Sequence, residues 1–93
     1  MKTPTQVKVG EINGGGYCQM FFDNGYGISI VSHKYSYGGD EGKMEIAVFK
    51  GNLEKSDLCY DTDVTPDVEG YLEPEEVGKY IEQVSNLDKN GKL

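Results

Sequence analysis

The fold is decided by residues 17–33, YCQMFFDNGYGISIVSH, in which two apolar runs flank the pair Asn24-Gly25. An Asn-Gly pair between apolar runs is the strongest short-range signal of a β-hairpin, because both central positions of a type I′ turn need a positive φ. The second run, Tyr26–His33, alternates apolar and polar side chains, as a half-buried strand does. These residues therefore predict two antiparallel strands joined by a type I′ turn.

Stretches on both sides extend this hairpin to a small meander. Residues 43–50 carry an apolar side chain at every second position and form a third strand. Residues 58–60 are long enough for a short fourth strand, and residues 6–9 alternate like an edge strand. Residues 10–16 contain four glycines and are typical of a flexible turn. The whole of residues 1–16 is therefore a candidate flexible segment.

The C-terminal part of the chain carries the signals of one helix. Pro74 takes the first helical position, where its missing N–H costs nothing, and Leu72 and Val77 have the spacing of a hydrophobic staple. Apolar side chains then repeat at helical spacing and form one stripe: Val77, Tyr80, Ile81, Val84 and Leu87. The helix should end at residues 88–91, and residues 88–93 are expected to be a frayed tail.

These elements predict one domain of the α+β class over residues 1–93. The expected architecture is a small antiparallel β-meander of three to four strands, with one C-terminal helix packed on one face. A chain of 93 residues can build a single modest core. The helix stripe is expected to pack on the apolar faces of the strands, formed by Ile28, Ile30, Met44, Ile46 and Val48.

The charge of the chain is concentrated in one segment. The sequence has 16 acidic residues and nine basic residues, all of them lysine, for a net charge of −7. Residues 54–76 hold nine of the acids and one lysine, a net −8. Such a field repels nucleic acid and anionic membranes and attracts basic surfaces. The absence of arginine, the usual bidentate ligand of phosphate and guanine, also argues against nucleic-acid binding.

The acidic segment, residues 54–76, has two interpretations that the sequence leaves open. Glutamates at the start of the helix complement its dipole without any partner. The other carboxylates either solvate a loop or form a binding face for a basic cleft. The residues concerned are Asp57, Asp61, Asp63, Asp67 and Glu69.

Two tyrosines, Tyr35 and Tyr37, lie in a glycine-rich loop and are further candidate binding residues. Tyrosine carries a large contact area at a low cost in side-chain entropy, so exposed tyrosines make good contact residues. The alternative is that one of them folds back over the sheet and covers the core.

Residues 61–69 resemble the opening of a calcium loop, with oxygen ligands at alternate positions. An EF-hand loop needs glycine at its sixth position and glutamate at its twelfth, where this segment has Pro66 and Leu72. The carboxylates are therefore interpreted as solvating a loop, and no metal site is predicted.

The sequence also predicts no catalytic site and no cofactor. His33 is the only histidine, and no nucleophile or carboxylate is fixed beside it by spacing. A zinc site would need His33, Cys18 and Cys59 to converge with a carboxylate, which the spacing does not require. The cysteines are expected to be buried thiols, with a single disulfide between them as the alternative.

Residues 1–10 contain no apolar segment of the kind found in secretory signals, and no run of about 18 apolar residues occurs. The expected location is a reducing cytoplasm, without a membrane association.

Four runs of this sequence together resemble a type of small open reading frame found in tailed bacteriophages. They are residues 24–33, 35–42, 59–62 and 71–77, and the resemblance covers about residues 20–87. No activity is established for those proteins, so the resemblance implies no catalytic residues. It implies a phage product that acts in the cytoplasm of a bacterial host. Small acidic phage proteins without enzymatic machinery often bind and inhibit a host protein, including defence nucleases.

The resulting hypothesis is a non-enzymatic protein that binds and inhibits a host or anti-phage defence protein through its acidic face and tyrosine loop. Such a protein would be a monomer or a weak homo-oligomer. A second hypothesis is a phage structural or assembly accessory that self-associates along an exposed strand edge. A third is a small metal-binding module.

Overall fold

The computed structural model describes residues 2–93, and the part of the candidate flexible segment at Met1 lies outside the described residues. Over these residues the elements are β1 Gln6–Ile12, β2 Gly15–Phe21, β3 Tyr26–Ser32, β4 Met44–Gly51, β5 Ser56–Leu58, β6 Glu69–Leu72 and α1 Pro74–Ser85. The α+β class with a C-terminal helix is confirmed. The expected three to four strands are wrong, because the antiparallel sheet runs β1-β2-β3-β4-β5 and β6 also pairs with β4.

The glycine run expected to be a flexible turn instead belongs to a tight hairpin between β1 and β2. Only Asn13 and Gly14 lie in the turn, and both have positive φ, 51° and 78°. This is the backbone that a two-residue Asn-Gly turn requires. Gly10 lies within β1, opposite Tyr17, and a Cβ at this position would stand 2.7 Å from the Tyr17 ring.

The hairpin between β2 and β3 is confirmed, but its type I′ turn is wrong. Of the two residues Asn24 and Gly25, only Gly25 has a positive φ, 86°. The N–H of Phe22 donates to the carbonyl of Tyr26 at 2.9 Å, which closes a three-residue loop. A loop of this length needs the left-handed conformation only at its last residue. The side chain of Asn24 is therefore available for a tertiary contact.

That contact joins the hairpin to the C-terminal end of α1. The side-chain amide of Asn24 donates to the carbonyls of Val84 and Leu87, both at 2.9 Å. Its side-chain oxygen accepts from the N–H of Tyr26 at 3.0 Å. The last carbonyls of a helix lack regular partners within the helix. Asn24 adds a second donor to the Val84 carbonyl, which also accepts from the N–H of Leu87 at 3.3 Å, and it caps the Leu87 carbonyl.

The helix α1 packs on β3 and β4. Pro74 is its first residue, and the N–H of Glu73 donates to the Glu76 carboxylate at 3.1 Å, which completes a capping box. Leu72 and Val77, the expected staple, are both buried. The main core cluster combines the helix stripe with the strands: Phe22, Tyr26, Ile28, Ile46, Val48, Cys59, Leu72, Val77, Val84 and Leu87.

The two edges of the sheet differ. Both β5 and β6 pair with the same edge of β4, at Phe49–Gly51 and at Met44 and Ile46 respectively. The fourth strand expected at residues 58–60 lies two residues earlier, and β6 was not expected. The acidic segment therefore follows this edge of the sheet, while β1 forms the other edge.

Residues 88–93, for which a frayed tail was expected, fold back onto the acidic segment. The N–H of Leu93 donates to the carboxylate of Asp63 at 2.9 Å, and the N–H of Asp63 donates to the carbonyl of Gly91 at 2.9 Å. The Asp88 carboxylate accepts from the N–H of Asn90 at 2.8 Å and from that of Lys92 at 3.1 Å. The tail is thus attached to Asp63.

Candidate functional site

The loop between β3 and β4 presents two tyrosines to solvent. Tyr35 is 70% exposed and Tyr37 is 60% exposed, so neither folds back over the core. The residue between them, Ser36, is buried, and its hydroxyl donates to the carbonyl of His33 at 3.0 Å and accepts from the N–H of His33 at 2.9 Å. Since Ser36 fixes the loop from the inside, its two neighbours point outward.

A third exposed tyrosine, Tyr71 of β6, lies beside this loop. Its N–H donates to the carbonyl of Tyr37 at 3.0 Å, and its side chain is 56% exposed. A Cβ at Gly38 would stand 2.9 Å from the Cα of Tyr71, and one at Gly70 would collide with the Cβ of Tyr37. The two segments therefore cross in close contact, and glycine at both positions permits the crossing.

The backbone of Tyr71 is left-handed, with φ 56°. A bulky residue with positive φ is uncommon and costs about 1–2 kcal/mol relative to the right-handed region. Such strain persists where the surrounding structure enforces it, and it concentrates at binding and catalytic sites. Sequence reasoning missed Tyr71, because no residue pattern shows that a tyrosine will take a left-handed conformation.

We call Tyr35, Tyr37 and Tyr71 the tyrosine patch. Carboxylates flank it: Glu45 accepts from the N–H of Tyr37 at 3.0 Å, and Glu73 lies 3.9 Å from the ammonium of Lys43. Gly70 touches Tyr37, but the carboxylate of the preceding Glu69 accepts from the hydroxyl of Thr65 at 2.8 Å and lies on the Ile46 side of the sheet. The patch thus combines exposed aromatic rings with negative charge.

The rings of the patch are not equivalent. The ammonium of Lys34 lies 5.4 Å from the centroid of the Tyr35 ring, within the range of a cation–π contact. Across residues 2–93, no lysine stands in this position over Tyr37 or Tyr71. These two rings are therefore the ones left open to a cation from another molecule.

The five candidate acids do not form one cluster. In the strand register, Asp57 of β5 lies opposite Lys50 of β4, and Glu69 of β6 lies opposite Ile46 of β4. Since Lys50 and Ile46 are four residues apart in β4, the two acids lie about 13 Å apart along the edge.

Most of these acids already have intramolecular contacts. Asp63 holds the tail through the N–H of Leu93 and lies 3.6 Å from the ammonium of Lys92. Glu69 accepts from the buried hydroxyl of Thr65 at 2.8 Å. Asp67 accepts from the N–H of the next residue at 2.7 Å. The interpretation of the acids as loop-organising residues therefore accounts in part for Asp63 and Glu69. Among the described residues it leaves the carboxylate of Asp57 without a hydrogen-bond donor.

Asp57 and Asp61 line one shallow, open depression of about 480 Å³, together with Lys50, Cys59 and Tyr60. The thiol of Cys59 donates to Asp61 at 2.9 Å. This hydrogen bond holds the pKa of the Asp61 carboxyl below its usual value. Burial is the main cause that raises the pKa of the Cys59 thiol, and the bond to Asp61 adds to it. The thiol thus stays protonated at neutral pH.

Cys18 and Cys59 are both free thiols, and they should differ in reactivity. Burial raises the pKa of the Cys18 thiol too, but Cys18 is only half-buried, whereas Cys59 is 7% exposed. Because the exposed thiolate is the reacting species, we expect Cys59 to react at least about tenfold more slowly than Cys18 with an aromatic disulfide reagent at pH 8. Titration of Cys18→Ser and of Cys59→Ser separates the two rates, and equal rates would contradict the prediction.

His33 does not assemble a catalytic or metal site with the other candidates. Its Nδ1 accepts from the N–H of Tyr35 at 3.1 Å, so it orients the tyrosine loop. His33 and Ser29 line a second open depression of about 420 Å³ on the face of the sheet away from α1. Over residues 2–93, no three histidine, cysteine or acidic side chains come together as metal ligands.

Comparisons with family models, with curated proteins and with solved structures find no match to this chain. The resemblance to phage proteins therefore stays a prediction. Within residues 2–93, α1 is too short and too polar to cross a membrane.

Proposed function

We propose that this chain is a non-enzymatic binding protein that recognises the basic surface of another protein through the tyrosine patch and the acidic edge of the sheet. The observation that carries the proposal is the backbone contact between Tyr37 and Tyr71, two exposed tyrosines joined by the N–H of Tyr71, whose backbone is strained, donating to the carbonyl of Tyr37 at 3.0 Å. In line with the resemblance to phage proteins, the proposed partner is a host or anti-phage defence protein, bound in the bacterial cytoplasm.

The chemistry of the patch suits lysine and arginine side chains. An aromatic ring attracts a cation placed over its face, and a neighbouring carboxylate pairs with the same cation. Tyr37 and Tyr71 provide the open rings, and Glu45, which accepts from the N–H of Tyr37, provides a carboxylate beside them. A basic segment of the partner can therefore satisfy both kinds of contact at once.

Packing does not explain the patch. A tyrosine at the surface contributes little to the core, yet Tyr71 keeps a backbone conformation that disfavours every residue except glycine, asparagine and aspartate. Surface tyrosines are enriched at the energetic centres of protein interfaces. A binding role accounts for both the exposure and the strain.

The proposal is tested by capturing partners from bacterial lysate with the tagged protein and then measuring the affinity of each captured partner by calorimetry. We expect Tyr37→Ser to weaken binding at least about 30-fold, the effect of removing a central interface residue. Tyr35→Ser should have a smaller effect, because Lys34 already occupies its ring. Val7→Ser removes a large side chain that is 52% exposed on β1, away from both the patch and the acidic edge, and it should leave binding unchanged. Full affinity in Tyr37→Ser would contradict the proposal.

The role of the acidic edge, the side of the sheet formed by β5 and β6, is tested with variants that keep the fold. Asp57→Asn and Asp67→Asn remove charge while an amide oxygen remains to accept the local hydrogen bond of residue 67. Asp63→Asn and Glu69→Gln form a separate second pair. Asp63 also holds the C-terminal tail, and Glu69 also accepts from the hydroxyl of Thr65. We expect the first pair to weaken binding at low salt and to have less effect near 1 M salt, where charge interactions are screened beyond about 3 Å. Salt-insensitive binding would contradict a role for the edge.

A further inference from the structure

The strand β1 is an edge of the sheet. It pairs with β2 and, within residues 2–93, with no other strand. Its apolar side chains are exposed, Val7 by 52%, Val9 by 69% and Ile12 by 44%. An open, apolar edge strand is a template for pairing with another chain.

An apolar row on the helix-side face runs out to this edge and ends in solvent. Val9 pairs with Cys18, and Cys18 pairs with Ile30, so the three side chains form one row across β1, β2 and β3. The helix α1 packs on β3 and β4, which leaves the β1 end of the row uncovered. Val9 is consequently the most exposed of the large apolar side chains in β1.

We propose that β1 pairs with β1 of a second copy of this chain, antiparallel and about a two-fold axis, with Val9 opposite Val9. A two-fold axis perpendicular to the sheet keeps each face on its own side, so paired residues must lie on the same face. Val9 is the midpoint of Gln6–Ile12. This register therefore uses the whole strand, and it satisfies the face requirement. It joins the two apolar rows into one that crosses the dimer.

The charge distribution favours this edge for contact between two copies. Residues 2–21 contain two lysines and one glutamate, a net +1, whereas residues 54–76 carry a net −8. Contact through the β5 and β6 edge would bring two strongly acidic segments together.

One element of the acidic side does reach β1, and it carries no net charge. The N–H of Leu53 donates to the side-chain oxygen of Gln6 at 3.1 Å. The turn that contains Leu53 has one acid, Glu54, and one lysine, Lys55. The approach of this turn to β1 therefore adds no repulsion between the two copies.

The interface is small, so the dimer should be weak. Seven residues of strand are about 23 Å long, and the edge of a sheet is roughly 10 Å thick, which is well below the ~800 Å² per partner of a stable complex. We expect a dissociation constant on the order of 100 μM.

Sedimentation equilibrium between about 10 μM and about 1 mM tests the dimer. The wild-type average mass should rise from one chain toward two. Val9→Lys should weaken association at least about tenfold, because it places like charges opposite each other. Leu93→Lys makes the same charge change at a side chain that is 61% exposed in the tail, and it should associate like the wild type. If the wild type stays monomeric over this concentration range, the proposal is overturned. This holds even if a separate peptide in the extended conformation binds to β1.

A cross-link tests the register independently of dimer strength. Residue 9 faces Cys18 within the chain, so the variants are built on Cys18→Ser. With glutathione disulfide added as the oxidant, Val9→Cys should form an intermolecular disulfide readily, because directly opposed Cβ atoms lie about 4.5–5.5 Å apart and need only a small shift to reach the roughly 4 Å of a disulfide. Val7→Cys lies on the same face but opposite residue 11 of the other copy, and it should cross-link much more slowly. Equal rates for the two variants overturn the register.

Discussion

Asn24→Asp is expected to lower the free energy of unfolding by about 3 kcal/mol, the largest effect of any single surface-accessible change in this chain. The side-chain amide of Asn24 donates to the carbonyls of Val84 and Leu87, both at 2.9 Å. Aspartate has nearly the same shape, but its carboxylate accepts hydrogen bonds and donates none. It would face these carbonyls and the negative end of the α1 dipole.

Asn24→Ala is the matched control, because it removes the donor without adding a charge. We expect it to cost about 1–2 kcal/mol, since water can reach the freed carbonyls in part. The carbonyls raise the pKa of the introduced carboxyl in the folded state, so its penalty is full at neutral pH and absent below the unfolded value of about 3.9. Urea unfolding at pH 7 and pH 3 should therefore show a gap between the variants that closes at pH 3. Equal stability at pH 7 would contradict the cap.

Local signals in the sequence predict the centre of this fold well. The apolar alternation around residues 24–25 and the helical stripe after Pro74 depend on neighbours within a few positions, and both elements are present. The turn type at Asn24 was wrong because a tertiary contact decides it. A type I′ turn would give Asn24 a positive φ, whereas in the three-residue loop only Gly25 has one, and the side chain of Asn24 bonds to the helix end.

Two features of the sheet are not visible in local patterns. Gly10 has the composition of a turn residue, but it pairs with Tyr17 in the β1–β2 ladder, and the Tyr17 ring fills the space that a side chain at residue 10 would need. The strand β6 has only four residues and no alternation of its own, and it forms because β4 offers an unpaired edge. In both places the deciding partner is distant in sequence.

The candidate site was predictable only in part. Composition identified Tyr35 and Tyr37, and the structure leaves both exposed because Ser36 is bonded to His33. The acids were predicted as one face, but β5 and β6 distribute them along β4. Tyr71 joins the site through the crossing of residues 37–38 and 70–71, which depends on the tertiary fold.

The left-handed backbone of Tyr71 leads to the second prediction, that Tyr71→Gly raises the stability of the protein and lowers its affinity for the partner. Tyr71→Gly removes a side chain that is 56% exposed and relieves a φ of 56°. Relief of left-handed strain gains about 1–2 kcal/mol, and the extra freedom of glycine in the unfolded chain costs about 0.5–1 kcal/mol. We therefore expect the free energy of unfolding to rise by up to about 1 kcal/mol. We expect the affinity for the captured partner to fall at least about 30-fold, as for a central interface tyrosine.

Two further variants at the same position separate the ring from the strain. Tyr71→Ala keeps the strained backbone and removes the ring, so it should bind as weakly as Tyr71→Gly while being about 1 kcal/mol less stable. Tyr71→Phe keeps the ring and the strain, so most of the affinity should remain. Urea unfolding and calorimetry on the same preparations measure both quantities. If Tyr71→Gly gains stability and keeps its affinity, the strain serves no binding function; if it loses stability, the left-handed backbone is not strained. A binding role for Tyr71 requires Tyr71→Gly to raise the free energy of unfolding and to lower the affinity. A residue selected only for folding would not keep a left-handed backbone that glycine adopts at lower cost.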